Sequence, residues 1–147
     1  MVAQPTVTIT KEELALIGLH PGAPLPEGGV QVVTTYNKKG KSRTGTSSAY
    51  LHFLNPLFHA RCDVEFCPGS FNLWTEGTAP LGEPLRLPEG EFWPVILEER
   101  AIGVVFRQGN DVPDYLEVFS PVNLKDRLGV KDEQSVNVRL LPGSVLC

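Results

Sequence analysis

Apolar residues in this chain come in short runs rather than long helical stripes. Residues 30–35 (VQVVTT) are β-branched and strand-like, and residues 50–54 (YLHFL) alternate as a half-buried strand does. Further runs follow at 70–74 (SFNLW), 92–97 (FWPVIL), 101–107 (AIGVVFR), 116–119 (LEVF) and 136–141 (VNVRLL), each bounded by turn residues. Two stretches read differently. Residues 7–18 (VTITKEELALIG) suggest a short strand or cap and then a helical turn, with Thr10 and Glu13 at capping-box spacing. Residues 122–128 (VNLKDRL) read as a helix closed by Gly129, where a C-terminal glycine belongs. The pattern predicts a mostly β protein, an all-β barrel with one or two short helices.

Between the first helical turn and the first strand, residues 20–29 (HPGAPLPEGG) hold three prolines and three glycines, which forces an irregular connection. Residues 1–28 are therefore expected to be an N-terminal extension, and 29–147 the barrel domain. Residues 36–49 (YNKKGKSRTGTSSA) form a long polar, basic connection between two expected strands; such loops usually carry function or move.

Composition narrows the class. A chain of 147 residues fits one domain and is long enough to bury a core. With 41% hydrophobic residues and a net charge of −4, disorder is excluded and a general nucleic-acid coat is disfavoured; no nucleic-acid partner is expected. The 14 glycines and 13 prolines exceed the roughly 12% of an average chain and argue against a helical bundle. No apolar stretch approaches a membrane span, so no membrane partner is expected. The first ten residues (MVAQPTVTIT) show no secretory signal pattern. With three cysteines, Cys62, Cys67 and Cys147, the expectation is a cytoplasmic protein with reduced thiols. The spacings of His52, His59, Cys62 and Cys67 match no common structural zinc pattern.

Three places carry candidate chemistry. Lys38, Lys39, Lys41 and Arg43 lie among Gly40, Gly45, Thr46, Ser47 and Ser48, combining cations, hydroxyls and flexible backbone donors as a polyphosphate requires. A solvated loop and a nucleic-acid contact are the other readings, and the spacing is not that of a Walker loop. Ser70 and Asn72 follow a Pro68-Gly69 turn and share one strand face. They could ligate magnesium if phosphate oxygens and water completed the shell; otherwise they line a solvent-facing edge. Glu117 interrupts an apolar strand, so it either faces solvent or points into a pocket as a candidate base.

Taken in order, these pieces resemble the archaeal-type, CTP-dependent riboflavin kinases. Residues 114–128 (DYLEVFSPVNLKDRL) followed by 129–141 (GVKDEQSVNVRLL) are similar to that family's Leu-Glu-(apolar)2-Ala/Ser-Pro, Leu-Arg and Leu-x-Asp-Gly-Asp-x-Val ending. Residues 68–73 (PGSFNL) look like its Gly-Thr-(apolar)-Asn-Leu, and residues 50–56 (YLHFLNP) like its Tyr-Phe run. The resemblance spans roughly residues 29–141.

The resemblance implies a six-stranded cradle-loop (RIFT-like) barrel, with riboflavin and CTP as substrates and Mg2+ as cofactor. The γ-phosphoryl group would pass to the ribityl 5′-hydroxyl, giving FMN. It further implies that Ser70 and Asn72 hold the metal, and that Glu117 binds the ribityl end and orients or deprotonates its hydroxyl. Lys41, Arg43, Gly45, Thr46, Ser47, Ser48, Val122, Asn123, Leu124 and Lys125 would contact the nucleotide. Gly109 falls where the family has a flavin-contacting threonine. The sequence departs from the family in its first loop, where one glycine stands in place of a glycine-rich run, and at Lys125, which replaces an arginine. Those departures make a non-catalytic barrel that binds flavin or nucleotide, or docks a partner, the rival reading.

Overall fold

The computed structural model describes residues 8–38, 47–109 and 113–147, with the backbone alone at 47 and 48. Ten main elements follow in order: α1 (Lys11–Leu16), β1 (Val30–Tyr36), α2 (Ser47–Cys62), β2 (Phe71–Thr75), β3 (Leu85–Leu87), β4 (Gly90–Leu97), β5 (Ala101–Arg107), β6 (Tyr115–Phe119), α3 (Leu124–Leu128) and β7 (Ser135–Leu140). A 3-10 turn at Gly143–Val145 ends the chain's regular structure.

Six strands close an antiparallel barrel in the ring order β1–β2–β6–β5–β4–β7, with β7 pairing β4 through Val95–Leu140, Ile96–Arg139 and Leu97–Val138. Among the described residues β3 pairs only with β4, and it lies outside the ring. The protein is therefore mostly β, as its short apolar runs imply, and its closed barrel has the six strands that the resemblance implies.

Alternation along the strands separates two cores. Inside the barrel, Phe71, Leu73, Trp93, Val95, Leu116, Val118, Val136 and Val138 meet, and α3 adds Leu124 and Leu128. On the outside, Phe92, Ile96, Ile102, Val104, Phe106 and Phe119 pack with Leu14 and Leu16 of α1 and Leu54 and Phe58 of α2. Both faces of β4 and β5 are thus covered, which explains their nearly unbroken apolar sequences. Gly103 lets β5 and β6 approach: a Cβ there would lie 2.7 Å from Val118 Cγ1 and 2.9 Å from the Phe119 carbonyl oxygen.

The α1 capping box forms as its sequence predicts, with Glu13 N donating to Thr10 Oγ1 at 3.2 Å and Thr10 N donating to Glu13 Oε1 at 2.9 Å. Asn123 caps α3, and Gly129 ends it in the left-handed conformation with φ 62°. One element departs from the sequence reading. Residues 50–54 are helix, not strand, and belong to the sixteen-residue α2. Tyr50, Leu54, Phe58 and Cys62 recur every fourth residue and turn to the barrel, while Pro56 sits on the exposed side.

The thiols also require correction. Cys62 is disulfide-bonded to Cys147 across 85 residues, with Cα atoms 5.8 Å apart, leaving Cys67 as the free cysteine. The C-terminus is brought there by its backbone: Cys147 N donates to the Leu16 carbonyl at 2.9 Å, and Arg61 donates twice to the Cys147 carbonyl, at 2.6 and 3.0 Å. Protein unfolded without reductant should therefore titrate as one thiol and, after reduction, as three; three without reduction would remove the link. Among the described residues no helix is long and apolar enough to cross a membrane.

Candidate functional site

The outer face of the barrel changes character along one row of paired residues. Phe92 lies opposite Phe106, Phe106 opposite Glu117, and Glu117 opposite Asn72. The row starts beneath the helices and ends in polar groups, next to the point where β1 leaves the sheet: Asn37 N donates to the Asn72 carbonyl at 3.1 Å. Asn72 and Glu117, separate in the sequence, are thus cross-strand neighbours on one face.

Asn72 is buried and held by hydroxyl groups. Its Oδ1 accepts from Ser70 Oγ at 3.2 Å and, through a short contact, from the Tyr115 hydroxyl. Period-two alternation places Ser70 and Asn72 together, as the sequence predicts. Glu117 is half-buried in β6, neither fully solvent-facing nor enclosed. Oxygens of the two side chains Ser70 and Asn72 are hard, neutral donors, with a carboxylate opposite. That set fits magnesium if phosphate and water complete the shell.

Behind Ser70 opens a cleft of about 190 Å³, walled by residues 67–71, Tyr36, Val118, Ser120 and residues 122–125. The start of β2 and the start of α3 meet here because Cys67 N donates to the Ser120 carbonyl at 2.8 Å. Tyr36 stacks on Phe71 with ring centroids 4.5 Å apart. Burial pushes the Tyr36 phenol above its ordinary range, and the nearby Asp132 carboxylate adds to this, so the hydroxyl stays protonated at neutral pH. Val122, Asn123, Leu124 and Lys125 all line this cleft, but in different ways. Leu124 is committed to the barrel core, and Asn123 Oδ1 accepts from Asp126 N at 3.1 Å as the helix cap. Lys125 is exposed and brings a positive charge to the cleft.

Lys41, Arg43, Gly45 and Thr46 lie outside the described residues, as do the side chains of Ser47 and Ser48, whose backbones begin α2. Lys38 is exposed, and its N–H donates to Asp132 Oδ1 at 2.9 Å. Both flanks of the basic segment approach the Asn72–Glu117 row. On one side is Asn37; on the other is the first part of α2, where Tyr50 and Phe53 pack edge-on to Phe106 at 5.3 and 5.7 Å. Gly109 lies beyond β5, past the last Phe106–Glu117 pair.

Two residues were not singled out by sequence reasoning. Trp74 and Tyr115 are paired across β2 and β6, next to the Asn72–Glu117 pair, with ring centroids 4.8 Å apart. The signal was present: each lies two positions from a candidate residue on its own strand, and so on the same face. In comparisons with known proteins, the chain matches no family model and no curated protein.

Proposed function

We propose that the protein is a CTP-dependent, riboflavin kinase-like phosphotransferase with Mg2+ as its cofactor. The observation that carries this reading is the direct opposition of Asn72 and Glu117, the residues on which two separate motif resemblances had fallen. Ser70 and Asn72 would hold the metal, which supplies charge neutralisation at the phosphates. Glu117 orients the ribityl 5′-hydroxyl and takes its proton as the oxygen attacks. The new O–P bond forms at the γ-phosphorus while the bond to the β,γ-bridging oxygen breaks, releasing CDP and FMN. Positioning and charge neutralisation do most of the work in this class of transfer, so few side chains suffice. Lys125 and the basic segment 38–43 supply cations for the triphosphate.

Incubation with riboflavin, magnesium and each nucleoside triphosphate in turn tests the reading, with FMN formation from CTP as the expected result. No FMN from any donor would favour the non-catalytic binding barrel, to which the doubly engaged Asn72 Oδ1 also points.

The basic segment gives a separate expectation. Neutralising Lys38, Lys39, Lys41 and Arg43 together should weaken CTP binding by roughly tenfold or more, the worth of one charge-assisted hydrogen bond. Added salt should weaken wild-type binding through the same charges. Calorimetric titration giving equal affinities would reduce the segment to a solvated connection.

A further inference from the structure

We infer that Tyr115 latches the candidate metal site: its hydroxyl occupies the oxygen that Asn72 would offer to magnesium and must withdraw before that oxygen can ligate. The inference rests on the reading of Ser70 and Asn72 as metal ligands proposed above. Asn72 lies opposite Glu117, so Tyr115, two residues earlier on β6, is its diagonal neighbour on the same face. That spacing is within reach of an aromatic side chain. The backbone of Tyr115 is pinned there, because Arg107 Nη2 donates to its carbonyl at 2.9 Å and to the Pro113 carbonyl at 3.1 Å. Its ring packs on Trp74, and its hydroxyl donates to Asn72 Oδ1.

An amide oxygen has two lone pairs, and those of Asn72 Oδ1 are taken by the Tyr115 and Ser70 hydroxyls. Asn72 is only 8% exposed, so an unpaired oxygen would be costly, and the two hydroxyls satisfy it. A cation at Oδ1 needs one of these two places. The two donors are not equivalent. Neighbouring ligand oxygens of a magnesium octahedron lie about 3 Å apart, given metal–oxygen bonds of about 2.1 Å. Ser70 Oγ already sits 3.2 Å from Asn72 Oδ1, so it can keep its place and turn a lone pair to the metal. Tyr115 reaches the same oxygen from the neighbouring strand, and a neutral phenol is not among the usual oxygen ligands of magnesium. It is the donor that gives way. Two hydroxyls on one oxygen thus act with opposite sign: Ser70 supports a cation there and Tyr115 competes with it.

The test is calorimetric titration with β,γ-methylene CTP, which cannot give up its terminal phosphoryl group, so turnover plays no part. It is added to wild type, Tyr115→Phe and Ser70→Ala, once as its magnesium complex and once metal-free in EDTA. Tyr115→Phe keeps the ring against Trp74, and thermal unfolding confirms that each variant is folded. Tyr115→Phe should bind the magnesium complex roughly three- to tenfold more tightly than wild type, the worth of one hydrogen bond, and the metal-free form equally well. Ser70→Ala should bind the magnesium complex more weakly. A merely structural role of Tyr115 would move both forms together. Equal or weaker binding of the magnesium complex by Tyr115→Phe overturns the latch, and so does a gain shared by both forms. Where Ser70→Ala still weakens the magnesium complex alone, the metal reading stands without the latch. Magnesium making no difference in any of the three proteins, or no binding of either form, removes the metal reading and the latch together. A selective gain in Tyr115→Phe without FMN formation by wild type upholds the latch and removes the kinase reading.

Discussion

Glu13→Ala is expected to destabilise the protein by about 3–5 kcal/mol, the usual cost of removing one partner from a buried ion pair. Glu13 is fully buried, and its carboxylate joins three elements that are remote in sequence. Oε1 accepts from Thr10 N at 2.9 Å and pairs with Arg127 Nη1 of α3 at 2.9 Å, while Oε2 accepts from Ile102 N of β5 at 2.8 Å. Alanine would leave the Ile102 N–H and the mostly buried Arg127 without this acceptor and open a void beneath α1. For a chain of this size the loss corresponds to a fall in Tm of roughly 6–20 °C. Urea unfolding of wild type, Glu13→Ala and the double variant Glu13→Leu/Arg127→Met separates the causes. Because an apolar pair of similar volume is often tolerated where a broken ion pair is not, the double variant should recover much of the loss. A single variant within 1 kcal/mol of wild type would mean that α1 is not anchored through this carboxylate.

Glu13 also shows where the sequence stops being informative. Its capping role was legible because Thr10 and Glu13 are three residues apart, within reach of local pattern. Its bond to Ile102 spans 89 residues and leaves no local signal. The same division runs through the rest of the molecule. Strands β1, β2 and β4 to β7 announce themselves as short apolar runs, and the Asn123 cap and Gly129 frame α3. The three-residue β3 is too short to show a pattern. Within α2, residues 50–54 alternate as a strand does and Pro56 argues against a helix interior; the four-residue spacing emerges only over the whole segment. The disulfide depends on where the last residue docks, which no spacing rule encodes.

The candidate site divides in the same way. Ser70 and Asn72 share a strand, so their common face followed from alternation alone. That Asn72 meets Glu117 depends on the pairing of β2 with β6, and Tyr115 reaches Asn72 across 43 residues. Register between distant strands is set by closure of the whole barrel, through core positions such as Leu73 and Leu116, rather than by the polar residues it brings together.

That register makes the two side chains separable by kinetics. Asn72→Ala should abolish metal-dependent turnover while the barrel stays folded, because alanine offers no oxygen to a hard cation and the strand keeps Phe71 and Leu73 in the core. Glu117→Gln keeps the shape and one acceptor but removes the charge. If Glu117 removes the hydroxyl proton, its rate of FMN formation should fall by roughly 10²–10⁴-fold with CTP affinity nearly unchanged. If it only orients riboflavin, the same substitution should raise the KM for riboflavin with a smaller loss in kcat. The pH profile distinguishes the two: the acid limb of kcat should vanish in Glu117→Gln only where the carboxylate itself carries the proton. Near-wild-type kinetics in both variants would leave Asn72 and Glu117 as a structural pair and remove the observation on which the kinase reading stands.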